Sequence, residues 1–381
     1  MTEPPASAYV HLPRGDPAPW FHQRATGNPN YAFDTTAGRY IVLCFFASSG
    51  DARGRAALQA MQAHRNLFDD VFACFFGVTI DPRDESEERV RQSLPGIRHL
   101  HDFDMKVSRL YGCVPKDAEP GTAIRARQFW IVLDPTLRVL ATFGLDEAGN
   151  RDVFAFLKGL PPPARYAGFE VFAPVLVLPD VFEPEFCARL IRLHESEGGR
   201  ETGFMREVDG KTVHILDPGH KRRRDYTIED AALIRQTQER IIRRVTPEIL
   251  KVHCFKVTRM ERYIVSCYAA EDGGHFRAHR DNTTKGTAHR RYAVSINLNG
   301  DFDGGELGFP EYGPRGYKAP PGGAIVFSGA LLHAVSPVTR GRRYAFLPFL
   351  YDEEAARIRE DNAKFIEGEA SRYKAGLVAE R

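Results

Sequence analysis

The stretch Gly274-His275-Phe276-Arg277-Ala278-His279-Arg280-Asp281-Asn282 sets an imidazole and a carboxylate two residues apart. On a β-strand, residues i and i+2 point to the same face, so His279 and Asp281 can reach one metal ion. With His333 downstream they supply two nitrogens and one oxygen. Three such ligands on one side of an ion, with the other positions open, suit non-haem Fe(II) oxygen chemistry. Taken alone, His-x-Asp is a spacing that chance often produces, and it then describes two polar residues at the mouth of a loop. The surrounding sequence decides between the two.

The elements that must position these residues form a β-rich block. Ile264–Tyr268, Ala293–Leu298, Gly323–Phe327 and Tyr344–Tyr351 read as strands, and Asp303-Gly304-Gly305-Glu306-Leu307 as a glycine turn between them. Ahead of the block come a short strand at Val175–Asp180 and an amphipathic helix from Phe182 to Leu193. A second helix is expected from Thr227 to Val245, with Ala232, Ile234, Ile241 and Ile242 toward the core. Helices followed by strands suit helices backing a double-sheet jelly roll.

The first half has another texture. Arg39–Phe46 and Val71–Asp81 are continuous apolar runs, as expected of strands buried on both faces. Phe129–Pro135 and Val139–Gly144 are further strands. Helices are expected at Arg53–Phe68, with Ala57, Met61 and Leu67 inward, and at Ser86–Leu94. Strands alternating with helices argue for an α/β sheet. Leu160-Pro161-Pro162-Pro163-Ala164-Arg165 is a stiff, helix-excluding run, and the boundary is set there: domains at 1–160 and 161–381.

Composition bounds the rest. At 381 residues the chain is too long for one ordinary core, and 43% hydrophobic with 27% charged residues is globular composition. A net charge of +2 gives no reason to expect a nucleic-acid or anionic-membrane partner. The one basic run, His220-Lys221-Arg222-Arg223-Arg224, reads as a solvated loop, with a clamp for an acidic substrate as the sharper alternative. Six cysteines (44, 74, 113, 187, 254 and 267) are scattered without a Cys-x-x-Cys pair. They suit buried thiols in a reducing, cytoplasmic compartment. No leader is expected from Met1-Thr2-Glu3-Pro4-Pro5, and no apolar run approaches the length of a membrane span.

Two resemblances follow from ordered motifs. Gly15-Asp16-Pro17-Ala18-Pro19-Trp20-Phe21, the strand ending at Phe46, Gly77-Val78-Thr79 and Phe129–Asp134 make the first domain similar to the thioredoxin-like fold, and within it to peroxiredoxins. That family needs a thiolate just after the first of these strands, where a helix N-terminus lowers its pKa. Here the region reads Ala47-Ser48-Ser49-Gly50-Asp51-Ala52-Arg53-Gly54-Arg55. Cys44 lies within the strand and Cys113 has no resolving partner, so the domain is expected to be redox-inactive. It would serve in packing, in presenting substrate, or as the surface of a homodimer.

The second domain resembles Fe(II)/2-oxoglutarate-dependent dioxygenases of the prolyl 4-hydroxylase branch, over 173–355 and most closely over 258–352. Cys267-Tyr268, Gly273-Gly274-His275-Phe276, His279-x-Asp281-Asn282, Arg291–Asn299, Asp303–Leu307, Pro321–Phe327, His333–Val338 and Gly341-x-Arg343-Tyr344 occur in the family's order. The resemblance implies a double-stranded β-helix, with Fe(II) on His279, Asp281 and His333. It implies Arg343 on the distal carboxylate of the co-substrate 2-oxoglutarate, and Tyr268 and Asn297 in the same pocket. Tyr268 stands one residue further from the histidine motif than in the family, and a core aromatic is its other reading. Arg340 and Arg342 are expected at the surface, His275 in a loop and His289 at the surface. O2 and the 2-oxo acid would react to give succinate, CO2 and a hydroxylated C–H bond, with ascorbate as reductant. The carboxylate at Asp281 argues against halogenation. The leading substrate is a prolyl residue of a protein or peptide. The alternatives are a free amino acid or other small molecule, and, from another class, a catalytically idle scaffold. Nucleic-acid demethylation is disfavoured by the near-neutral charge. The segment Phe204–Arg224 is the candidate substrate loop.

Overall fold

The computed structural model describes residues 8–122, 124–366 and 376–377; the Met1–Pro5 segment weighed for a leader lies outside them. The chain divides into two compact units. One comprises Met1–Phe172 and Pro310–Pro314, the other Ala173–Phe309 and Arg315–Arg381. The proline run sits inside the first unit, because Pro163–Arg165 forms a 3-10 turn and Tyr40 Oη donates to Pro161 O at 2.9 Å. The division therefore lies at Phe172/Ala173 rather than Leu160/Pro161.

The first unit is built on a seven-stranded mixed sheet. Tyr40–Ala47, Ala73–Thr79 and Ile97–His101 run parallel, and Phe129–Leu133 and Val139–Gly144 extend the sheet antiparallel. The apolar runs are strands because both faces are covered: every residue of Ala73–Thr79 is buried. Helices Ala52–Ala63 and Glu147–Lys158 start at Asp51 and Asp146, whose carboxylates accept from the backbone N–H groups of Gly54 and Gly149. The expected helix at 86–94 is not there; a single turn, Arg83–Ser86, stands before it. Asp84 pins that turn by accepting from Ser49 Oγ at 2.5 Å and Thr79 Oγ1 at 2.6 Å. Glu88 then takes a positive φ of 48° and the chain reverses, burying Val90 in the core.

The second unit is mostly β. A ten-stranded antiparallel sheet includes Arg224–Thr227, Ile264–Ala269, Tyr292–Asn297, Ala324–Ser328, Arg342–Phe346 and Phe349–Tyr351. A five-stranded sheet holds Lys221–Arg222, His275–His279, Leu307–Gly308, Gly316–Tyr317 and His333–Val335. The strand expected to run from 344 to 351 is two strands, interrupted at Leu347-Pro348 because proline has no N–H for a ladder. The expected helix from Thr227 begins only at Ala231, capped by Asp230, whose carboxylate accepts from Leu233 N at 2.6 Å. Residues 224–227 instead pair with Ile264–Ala269. Leu233, Thr237 and Ile241 face the core, and Ala232 is exposed. Helix Pro184–Glu197 covers the same core with Phe186, Cys187 and Leu190. All six cysteines are free, and five are buried; Cys254 is exposed. Among the described residues no helix is long and apolar enough to cross a membrane.

Candidate active site

His279 and His333 are direct cross-strand partners, brought together where His275–His279 pairs antiparallel with His333–Val335. Asp281 is not on the strand. It lies just past the strand's end, where its N–H donates to Gly329 O at 2.8 Å. The turn, rather than strand alternation, aims the carboxylate back at the imidazoles. Asp281 Oδ1 is 3.6 Å from His279 Nε2, and Oδ2 is 3.4 Å from His333 Nε2. One ligand atom from each of the three lies within 4.8 Å of the others.

Backbone carbonyls fix which ring nitrogens are free. His279 Nδ1 sits 2.8 Å from Arg277 O, and His333 Nδ1 2.9 Å from Leu331 O. A carbonyl only accepts, so both Nδ1 atoms carry the proton and both Nε2 atoms keep a lone pair when the rings are neutral. This is the arrangement in which metal-binding histidines are held by their surroundings. Burial, and then the neighbouring His279, pull the His333 imidazole down to about 4. Burial opposes ionisation of Asp281, but His333 and His279 outweigh it and hold the carboxyl below its ordinary range. Aromatic rings wall the site: Phe276 stacks on His279 with centroids 3.6 Å apart, and Phe327 packs on His333 at 4.6 Å.

Arg343 is buried on the ten-stranded sheet, and strand alternation turns Arg342 outward to Glu271. Its Nε donates to Asn297 Oδ1 at 3.0 Å and its Nη2 to Ser295 Oγ at 2.7 Å. Nη1 is buried without a partner. Gly305, at φ 64°, leaves room beside it: a Cβ there would come within 3.0 Å of Arg343 Cδ. Tyr268 is the cross-strand partner of Arg343 and is fully buried. Asn297 donates its amide to Ala319 O at 2.8 Å while accepting from Arg343.

Several residues differ from expectation. The run 220–224 is not a solvated loop: Lys221 and Arg223 are buried, while Arg222 and Arg224 are exposed. Lys221 Nζ donates to Thr202 Oγ1 and Gly203 O, and Arg223 pairs with Asp225 and Tyr268. The alternation Lys-x-Arg-x-Asp was the available signal, because it is the period of a strand with one face inward. His289 is buried, not at the surface, and pairs through Nε2 with Glu261 at 2.9 Å. His275 opens the strand His275–His279 opposite Arg222 rather than lying in a loop. In the 204–224 segment, Phe204–Val208 and Lys211–Ile215 form a separate hairpin turning at Asp209-Gly210, both at positive φ. His220 follows it, tilted against Phe204 at 4.3 Å and edge-on to Phe276 at 5.7 Å.

Residues 263–351 match the family profile of the 2OG-Fe(II) oxygenase superfamily. The PKHD-type hydroxylase PiuC of Pseudomonas aeruginosa is 27% identical over 202 residues, covering 50% of this chain and 83% of that protein. A PKHD-type hydroxylase of Pseudomonas paraeruginosa is 30% identical over 168 residues, covering 42% of this chain and 72% of that protein. The chain belongs to the PKHD-type hydroxylase family. As a member it is a 2-oxoglutarate-dependent dioxygenase, and the family implies Fe(II), 2-oxoglutarate and O2. A solved structure of the peroxidoxin BcpB from Mycobacterium tuberculosis aligns with 40% of this PKHD-type chain and 99% of its own, at 17% identity and a TM-score of 0.33.

Proposed function

We propose that His279, Asp281 and His333 hold the Fe(II), that Arg343 pairs with the distal carboxylate of 2-oxoglutarate, and that the reaction hydroxylates a prolyl residue in a protein or peptide. The observation that carries the metal assignment is the pair of imidazoles whose Nδ1 protons are tied to carbonyls, leaving two Nε2 lone pairs beside one carboxylate. The buried, unpartnered Nη1 of Arg343 fits a carboxylate, which would complete its donor set. Tyr268 and Asn297 line the same pocket. Bound Fe(II) and 2-oxoglutarate supply, with O2, the oxidising power for a C–H bond, and succinate and CO2 leave. The chain's own part is to orient and to exclude water. Phe276 and Phe327 shield the histidines, and Ser295 and Asn297 hold the Arg343 fork.

A peptidyl substrate is favoured because His279 and Asp281 are only half-buried and the hairpin 204–215 forms a separate sheet near them. Ascorbate would keep the metal reduced. The second unit would be a jelly roll of two sheets. The first unit would be a thioredoxin-like domain without redox activity, and a surface for a homodimer. That reading is supported by its mixed sheet and by Ser48 and Ser49 after the first long strand, where both hydroxyls are spent on Asp81 and Asp84. Burial raises the Cys113 thiol to about 12 and that of Cys44 well above its usual value, so neither is a ready thiolate. Free buried thiols suit a cytoplasmic setting. The test is mass spectrometry of proline-containing peptides after incubation with protein, Fe(II), 2-oxoglutarate and ascorbate. Gain of one oxygen atom on proline supports the reading. Oxygen gained only by free amino acids overturns it.

A further inference from the structure

Two buried guanidinium groups lie close to the Tyr268 ring. Arg343 Cζ is 5.3 Å from the ring centroid and Arg223 Cζ 5.6 Å. Each leaves one buried nitrogen unfilled, Nη1 of Arg343 and Nε of Arg223, but their other partners differ. Arg343 spends Nε and Nη2 on the neutral Asn297 and Ser295. Arg223 donates Nη2 to Asp225 Oδ2 at 2.7 Å and Nη1 to Tyr268 Oη at 3.1 Å. A guanidinium can only donate. The Tyr268 oxygen is therefore the acceptor of that bond, and its own proton must point elsewhere. Among the described residues that proton has no acceptor.

Asp225 makes the arrangement rigid. Besides Arg223 it accepts from Thr202 Oγ1 at 2.5 Å and Ser266 Oγ at 2.6 Å, with Lys221 Nζ at 4.0 Å and Arg262 Nη2 at 3.9 Å. Register explains why these groups meet. Asp225 opposes Ser266, Arg224 opposes Cys267, and Tyr268 opposes Arg343. Ser266 and Tyr268 are two apart on one strand and share a face. Arg223 immediately precedes the strand Arg224–Thr227 and reaches Tyr268, which in turn faces Arg343 on the next strand. Asp225 answers the charge of Arg223, while the partners of Arg343 are the neutral Asn297 and Ser295, so an anion would complement this group. A hydroxyl that accepts from a cation is also the stronger donor to its next partner.

We propose that Arg223, anchored on Asp225, is a positioning residue that turns the Tyr268 hydroxyl into a fixed donor to the distal carboxylate of 2-oxoglutarate, beside Nη1 of Arg343. The proposal rests on the reading of Arg343 as the carboxylate's partner. Arg223 never touches the co-substrate. It acts by occupying the lone pair that would otherwise let the hydroxyl rotate.

The test measures binding to the Fe(II)-loaded protein without O2, by calorimetry, with two probes. 2-Oxoglutarate carries the distal carboxylate; pyruvate has the same 2-oxo acid group and lacks it. Arg223→Gln and Tyr268→Phe should each weaken 2-oxoglutarate roughly tenfold, the effect of one hydrogen bond to a charged group. The double variant should be no worse than the weaker single one, because both remove the same bond. Pyruvate binding should not change in any of them. Equal loss for both probes would mean that Arg223 only supports the fold, and unchanged 2-oxoglutarate binding in Arg223→Gln, or multiplied effects in the double variant, would likewise overturn the proposal. If Arg223→Gln does not fold, Arg223→Lys keeps a cation on Asp225 without the fork and carries the same expectation. Arg343→Met separates the two readings. If it binds 2-oxoglutarate normally, the assignment of the pocket is wrong; if it binds poorly while Arg223→Gln binds normally, only the role of Arg223 is wrong.

Discussion

Replacing Arg343 with methionine should cost the metal-free protein only about 1–3 kcal/mol of stability while removing most of its affinity for 2-oxoglutarate. The guanidinium is buried, and burial lowers its pKa, so the fold already carries a charge it disfavours. Two hydrogen bonds would be lost, leaving the buried Asn297 Oδ1 and Ser295 Oγ without their donor, at about 1–3 kcal/mol each. Against that stands the unfilled Nη1, whose removal recovers about 1–3 kcal/mol of uncompensated desolvation. Asn297 keeps its bond to Ala319 O, and methionine fills most of the volume. The net cost is about 1–3 kcal/mol. In the complex the balance is different. A charge-assisted bond from Nη1 to a carboxylate is worth about 1.5–3 kcal/mol, so the Kd for 2-oxoglutarate should rise roughly 10- to 100-fold. Urea unfolding of the metal-free protein gives the first quantity and calorimetry of the Fe(II)-loaded protein without O2 gives the second. A variant destabilised by several kcal/mol that binds 2-oxoglutarate normally would refute the reasoning, because Arg343 would then be a structural residue.

Three further outcomes can be checked in solution. Glu261 is buried beside His289, Arg290 and Arg359, so Glu261→Gln strands the charge of the two arginines and should cost roughly 3–5 kcal/mol in urea unfolding; a cost below about 1 kcal/mol would mean the cluster contributes little. Burial, and then His101, lower the His99 imidazole to about 3 from its ordinary 6.5. The unfolded chain therefore binds the extra proton between those values, and acidification from about pH 6.5 to about pH 3 should lose roughly 1.4 kcal/mol of stability per pH unit through this residue. His99→Phe, set among Phe46 and Phe75, should flatten that slope, and an unchanged slope would assign the effect elsewhere. A thiol reagent applied to the native protein should modify Cys254 alone, and all six cysteines after denaturation; rapid native labelling of Cys44 or Cys113 would contradict their burial.

What could be read from the chain, and what could not, follows from the range of the interactions involved. The meeting of His279, Asp281 and His333 was legible because each sits in a short ordered motif, and the burial of Arg343 because alternation separates it from Arg342 within one strand. Asp281 reaches the site for a different reason from the one the spacing suggested, since the strand ends at His279 and a bond to Gly329 turns the chain. Arg223 was hidden in a run of cations. Nothing local distinguishes a buried arginine from a solvated one; the difference is made by Asp225, Ser266 and Tyr268 arriving through strand register. His289 was missed for the same reason, as its partner Glu261 is 28 residues away. The helix expected at 86–94 fails because Asp84 answers to Ser49 and Thr79, which local periodicity does not register.

The central claim is that His279, Asp281 and His333 form the iron site of a working 2-oxoglutarate dioxygenase. Its most direct test is succinate and CO2 release from 2-oxoglutarate by the purified protein with Fe(II) and ascorbate, beside His279→Ala, with Fe(II) binding to both proteins titrated in parallel. The account predicts release and tight Fe(II) binding for the wild type and neither for the variant. Equal release by the two, or Fe(II) bound as tightly by His279→Ala as by the wild type, would contradict it.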